Sequence, residues 1–293
     1  MVESMLWSRK LFVVLNYMLL SMLAFLCLFP ILHVLAISFS SSTAASSGQV
    51  VLWPVDFNTA AYQYVLDNDA FMQSIEVSLR RIVVGSTIQM LLIVLTAFPL
   101  SKEARVFKWR THYVWYFFIT LLFSGGLIPT YMVVKDTGLM DSVWALVLPV
   151  AVPVFSVVLL LNFFRALPKE LEESAFIDGA GYMVTLWHIV VPLSKPAIAT
   201  LLLFSLVSHW NAWFDGLIYM NSPENYPLQS YLQTVVIQHD PALTDVDENL
   251  MSQLSDRTLK SAQIFIGALP ILLVYPFLQK YFMKGIVMGS VKE

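Results

Sequence analysis

Charge is what this sequence has least of. Acidic and basic residues together fill 13% of its 293 positions, about half the share of a soluble globular chain. Hydrophobic residues reach 58%, and the mean hydropathy is +0.70. Folding alone cannot hide that much apolar surface from water, so the chain belongs in a bilayer. The apolar mass runs along the whole length, which excludes a signal peptide on a soluble domain and a single-span anchor. One cysteine, Cys27, rules out an intrachain disulfide and reads as a small buried hydrophobe. A formal net charge of −3 and the lack of any basic tract exclude a nucleic-acid partner.

Catalytic signatures are missing too. No Gly-x-x-x-x-Gly-Lys-[Ser/Thr] loop is present, nor any Gly-Lys dipeptide, so the chain does not itself cradle ATP that way. The histidines at 33, 112, 188, 209 and 239 lack metal-ligand spacing, and no metal site is expected. No Gly-x-Ser-x-Gly elbow appears. Ser124 beside Gly125 would need a base from another span to act as an intramembrane nucleophile. No catalytic residue is assigned. Strand-like alternation is absent, which argues against a membrane β-barrel.

What is present is a series of apolar runs. A helix crossing the hydrocarbon core needs roughly 20 mostly apolar residues. Six segments qualify: 11–38, 82–100, 113–134, 143–164, 196–220 and 262–282. The expectation is an all-α membrane protein with six transmembrane helices. The second run is the shortest, and it extends if Arg80 and Arg81 snorkel to the headgroups. Residues 1–10 precede the spans, 11–284 form the membrane domain, and 285–293 form a tail.

Positive charge sets the orientation. With the N-terminus inside, the inner segments hold twelve Lys and Arg, at 9, 10, 102, 105, 108, 110, 165, 169, 195, 280, 284 and 292. The outer segments hold five, at 80, 81, 135, 257 and 260. Both termini are therefore expected in the cytoplasm. The outer segments collect acids, so this chain offers no funnel for an anion.

Two outer segments are long. In the first, Ser40–Gly48 reads as a flexible loop. Asn58 or Thr59 then caps a short helix through Asn68, with Tyr62, Val65 and Leu66 on one face. The other long segment, 221–260, carries Pro223, Pro227, Pro241 and the acidic stretch Asp240–Glu248. It fits either a contact surface or a solvated linker.

The inner segment 165–196 carries the most information. Pro168 suits a helix start, and Glu170, Glu172 and Glu173 crowd the first turn, where the helix dipole favours them. Gly179 and Gly181 stop that helix. A second short helix, 183–189, ends before Pro192. Two short amphipathic helices at a glycine bend make a knob suited to a groove in a soluble partner.

Within that segment, Glu173-Ser174-Ala175, Asp178-Gly179-Ala180, Ile189 and Pro192 resemble the EAA loop of ATP-binding-cassette importer permeases. Serine replaces the first alanine of the motif, a small-for-small change. Other stretches resemble the carbohydrate branch, to which the second permease of the maltose system belongs. They are Ser124 to Tyr131 (Ser-Gly-Gly-Leu-Ile-Pro-Thr-Tyr), Trp210-Asn211, Tyr226 to Gln229, and the tail from Lys284 to Lys292. The Gly-Gly-Leu-Ile-Pro stretch is similar to the subgroup handling complex polysaccharide fragments.

The resemblance implies a type I importer permease in a bacterial plasma (inner) membrane. It implies a second homologous permease, two ATPase subunits that bring ATP and Mg, and an extracytoplasmic solute-binding protein. No cofactor is expected on this chain. The substrate implied is an oligosaccharide, with acidic fragments such as alginate or pectin oligomers a specific candidate. In the family this loop docks in a cleft of the ATPase, which assigns Glu172, Glu173, Ser174, Ala175, Asp178, Gly179, Ala180, Ile189 and Pro192 to docking.

Asp215 is the one acid well inside an expected span, among Ser208, His209, Trp210, Asn211 and Trp213. Intramembrane charge usually faces protein or water. The group reads either as a wall of a translocation path or as a polar cluster packing helices. Gly125, Gly126 and Pro129 interrupt the third span, as a hinge or as close packing by small residues. The rival classes are an ion-coupled secondary transporter, which needs intramembrane carboxylates, and an intramembrane hydrolase.

Overall fold

The computed structural model describes residues 7–238 and 255–290, with side chains described up to Tyr275 and Pro276 in the last helix. Every regular element among them is helical. The acidic stretch 240–248, Pro241 and the last three residues lie outside the described residues.

Three helices are each long and apolar enough to cross a bilayer: Arg9–Ser38, Asp69–Ser101 and Asp256–Pro276. Three bent pairs meet the same measure together, making up to six spans. The second span is thus not short; its helix begins at Asp69 and runs 33 residues. The third is no continuous helix. Arg110–Leu122 and Leu127–Asp136 meet at a 113° bend. Gly126 sits at the break with φ +89°, where a side chain would be strained. Pro129 lies in the first turn of the following helix, where its missing donor costs nothing. The break therefore belongs to the glycines. In the fourth span, Pro149 and Pro153 flank a 50° bend between Val143–Val150 and Val154–Ala166. The third bent pair is Tyr182–Leu193 with Lys195–Asn211, at 82°. The fifth span then runs Lys195–Asn211, and after a break the chain resumes as Phe214–Tyr219. Pro270 and Pro276 lie inside one continuous helix, Asp256–Ser290.

The chain divides into two units. One holds the first helix with residues up to 69 and 239–269. That helix is apolar on all sides, and only 11% of its most apolar stretch is buried. Cys27 is exposed on it, not buried, since no described residue covers it. The segment after it is ordered rather than a flexible loop. Ser41 caps a short Ser42–Ser46 helix, and Ala44, Ala45 and Val50 pack on Ala36 and Ile37. Arg257 satisfies the C-terminal end of that helix by donating to the Ala45 carbonyl at 3.0 Å. The next helix is Ala60–Asp67. Asn58, not Thr59, caps it, its side chain accepting from the Ala60 amide at 2.7 Å. Val65 is buried and Tyr62 bonds Ser38, whereas Leu66 faces out.

The other unit, 70–238 with 270–293, has an apolar core built from the Asp69–Ser101, Val154–Ala166 and Lys195–Asn211 helices. Ile93, Ala97, Val157, Leu160 and Leu201 meet there. Gln89 ties three elements, donating to the Val150 carbonyl and accepting from the Ser205 hydroxyl. A second cluster joins Val134, Leu146, Tyr219 and Met220. Asp141 clamps it, accepting from the amides of Asn221 and Ser222 and from the Ser222 hydroxyl.

Candidate functional site

The helix Lys169–Ile177 starts after Pro168 with Glu170 and Glu172 in its first turn. It ends in a Schellman motif. The Ala180 amide donates to the Ala175 carbonyl at 2.9 Å, and the Gly179 amide to Phe176 at 3.1 Å. Gly179 takes φ +84°, as the motif requires. The chain then turns into Tyr182–Thr185. That helix does not stop before Pro192. It widens into a π-turn over Leu186–Val190 and continues through Val191–Leu193. The Val191 amide bonds the Leu186 carbonyl, and the wide turn accommodates a proline that a regular helix would reject.

Leu186 and Val190 are buried in the bundle core. They root the second arm of the loop. The outer surface of the bend is the reverse: Ile177 is 86% exposed and Met183 62%. These apolar side chains stand near the exposed Glu173 and Asp178 of the same bend.

Among the expected docking residues, the structure separates tip from root. Glu173, Asp178 and Gly179 are exposed, as is Pro192, and Ala180 and Ile189 are partly covered. Ala175 is buried. Ser174 donates to the Glu170 carbonyl at 2.8 Å. Glu172 turns inward and forms an ion pair with Lys102, which also lies 4.1 Å from the Phe98 ring centroid. Lys169 pairs with Glu103 at 2.6 Å. That hydrogen bond, with Arg105 nearby, holds the Glu103 carboxyl below its ordinary range and raises the Lys169 ammonium. Two ion pairs thus strap the first arm to the segment that ends the Asp69–Ser101 helix. Sequence reasoning missed both straps. Lys102 and Glu172 are 70 positions apart, and no local pattern links them.

The second cluster surrounds Asp215. Arg81 does not snorkel to the headgroups; it is 1% exposed. Its guanidinium grips both Asp215 oxygens and donates to the Ala212 carbonyl. Its Nε lies 3.5 Å from His209 Nδ1. A buried guanidinium needs a carboxylate and acceptors, and the break at Ala212–Trp213 supplies them. His209 and Trp210 are buried, whereas Ser208, Asn211 and Trp213 are exposed. A Cβ on Gly85 would lie 2.6 Å from the His209 ring, so only glycine admits that ring. No group of metal-ligating side chains occurs among the described residues.

Residues 4–288 match the family described as binding-protein-dependent transport system inner membrane component. The chain is 40% identical to the polygalacturonan/rhamnogalacturonan transport system permease protein YtcP of Bacillus subtilis, over 97% of this chain and 99% of that one. It is 41% identical to protein LplC of the same organism, over 97% and 96%. A solved bacterial ABC transporter involved in the import of the acidic polysaccharide alginate superposes with a TM-score of 0.88 at 31% identity. The match covers 94% of this chain and 98% of that one. The chain belongs to the binding-protein-dependent inner membrane component family and is a membrane-embedded permease of an ABC importer, a transport component rather than an enzyme.

Proposed function

We propose that this chain imports oligosaccharides released from acidic polysaccharides, such as oligomers of alginate or pectin. Its nearest support is the pair of likenesses above, one to a permease named for polygalacturonan and rhamnogalacturonan, one to a solved importer of alginate. It works beside a homologous second permease, two ATPase subunits that use ATP and Mg, and an extracytoplasmic binding protein. Both termini face the cytoplasm, following the twelve-to-five bias of Lys and Arg.

The observation that carries the mechanism is the 169–194 loop, strapped at its first arm and rooted at its second. Its exposed tip, around Glu173, Ile177, Asp178 and Met183, enters the ATPase cleft. Closure of the ATPase dimer displaces the tip. The Lys102–Glu172 and Glu103–Lys169 pairs pass that displacement to the 69–101 helix, which biases a two-state bundle. The Gly125–Gly126 break serves as a hinge. Ser208, Asn211 and Trp213 line the path, while His209, Trp210 and Asp215 are engaged within the fold.

An ion-coupled carrier needs a carboxylate free to bind and release its ion, and Asp215 is already held by Arg81.

The test is to tag the full chain, solubilise gently and weigh the complex by mass spectrometry. A second permease and an ATPase co-purify, and the ATPase is lost on Glu173→Lys. Reconstituted complex takes up oligogalacturonate or oligoalginate with ATP. Uptake by the isolated chain on an ion gradient without ATP would overturn the proposal.

A further inference from the structure

A cavity of about 730 Å³ opens between residues 101–110 and the Lys169–Ile177 helix. Five cations and three carboxylates line it. Three of the cations have acidic partners: Lys102 on Glu172, and Lys169 and Arg105 on Glu103. Arg110 and Arg165 do not, among the described residues. Both converge instead on one backbone carbonyl. Arg110 Nε donates to Leu100 at 2.9 Å, and Arg165 Nη2 donates to the same oxygen at 3.4 Å.

Two guanidinium groups drawn to one carbonyl repel each other, and one neutral acceptor does not balance two charges. Each keeps donors unused by that carbonyl, arranged in the fork that suits a phosphate. The surroundings fix where such a phosphate comes from. Trp109 and Tyr113 flank Arg110 and are 64% and 51% exposed. Exposed Trp and Tyr at the start of an apolar helix mark the membrane–water interface. The arginines therefore stand at headgroup level, and the cavity wall adds the aromatic faces of Phe164 and Phe176.

We propose that Arg110 and Arg165 bind the phosphate of an anionic phospholipid, lodged against the strapped first arm of the docking loop. The lipid balances the two charges and stiffens the segment to which the loop is strapped. The inference rests on the proposed function only for placing this end at the inner leaflet. Its readout is lipid retention and needs no transport, so the two fail separately.

The experiment places the full chain, with its co-purifying subunits, in nanodiscs of mixed phosphatidylglycerol and phosphatidylcholine. Native mass spectrometry then identifies retained lipid. Two cations near the surface give phosphatidylglycerol an advantage of roughly thirtyfold. Arg110→Gln with Arg165→Gln brings the two lipids near parity. Arg110→Lys with Arg165→Lys keeps the charge and tolerates assembly, and leaves only a few-fold preference because the fork is gone. Lys108→Gln, exposed and outside the cavity, changes nothing. No preference in the natural chain, or undiminished preference in both double variants, would overturn the site. An equal loss in Lys108→Gln would show a diffuse charge effect and overturn it too. Displacement of the lipid by millimolar inorganic phosphate would overturn the lipid source in favour of a soluble phosphate.

Discussion

Arg81 and Asp215, 134 positions apart, close a two-pronged ion pair, with Nη1 on Oδ1 at 3.1 Å and Nη2 on Oδ2. The pair fastens the break in the fifth span to the side of the 69–101 helix. Its members are unequally buried, the arginine side chain 2% exposed and the aspartate 23%. The arginine therefore bears most of the desolvation.

Removing one member strands the other. Asp215→Ala is expected to cost about 3–5 kcal/mol, because it leaves a buried charge unpaired. Arg81→Met combined with Asp215→Leu restores most of that loss. Thermal unfolding of the purified variants in one detergent checks the order. A single variant as stable as the natural chain would show that the pair is not buried.

The straps make a different prediction. Lys102→Glu sets two carboxylates together at a site only 13% and 20% exposed. It is expected to lower uptake several-fold while ATPase co-purification persists, since the tip is untouched. Lys102→Glu with Glu172→Lys rebuilds the pair in reverse and recovers uptake. The readout is the ratio of uptake to ATP hydrolysis in proteoliposomes.

Gly179 and Gly181 sit two residues apart, and neither has an atom within 4 Å of a built Cβ. Crowding therefore cannot distinguish them. Only Gly179 is left-handed, at φ +84°. Gly179→Ala is expected to cost about 1–2 kcal/mol locally and to weaken ATPase retention on a pull-down. Gly181→Ala, at φ −81°, is expected to be silent. Equal effects would locate the requirement in the docking surface rather than the backbone.

Asp141 supplies a pH signature. Burial opposes its charge, yet the nearby Asn225 side-chain amide and the bonds from the Ser222 and Asn221 groups hold its carboxyl below the ordinary 3.8. A folded value below the unfolded one stabilises fully above 3.8 and is lost as pH falls through the lowered value. Asp141→Ala should therefore lower the melting temperature at neutral pH. The gap to the natural chain should close in strong acid. A gap independent of pH would assign the loss to the positive φ of 57° at that position.

Much of this was legible beforehand. Long apolar runs announce spans because each needs only its own length of side chains. Glu173, Asp178 and Gly179 announce the loop because a helix start and a glycine stop are local chemistry. The tail of the 69–101 helix toward Asp69 was harder to read, since Arg80 and Arg81 look like a span end. The glycine break at 125–126 was visible, but its 113° bend was not.

The sequence by itself determined that this chain lives in a bilayer, how many apolar runs it offers as spans and where a helix start and a glycine stop build the inner loop. Those properties depend on composition and on neighbours within a turn or two. Only the tertiary structure decided that Arg81 lies inside, that Glu172 faces Lys102 and that Arg110 meets Arg165 over one carbonyl. Each of those pairs joins residues 55 to 134 positions apart. Charges act on one another at any sequence separation, and packing alone selects which of them, opposite or alike, come within reach.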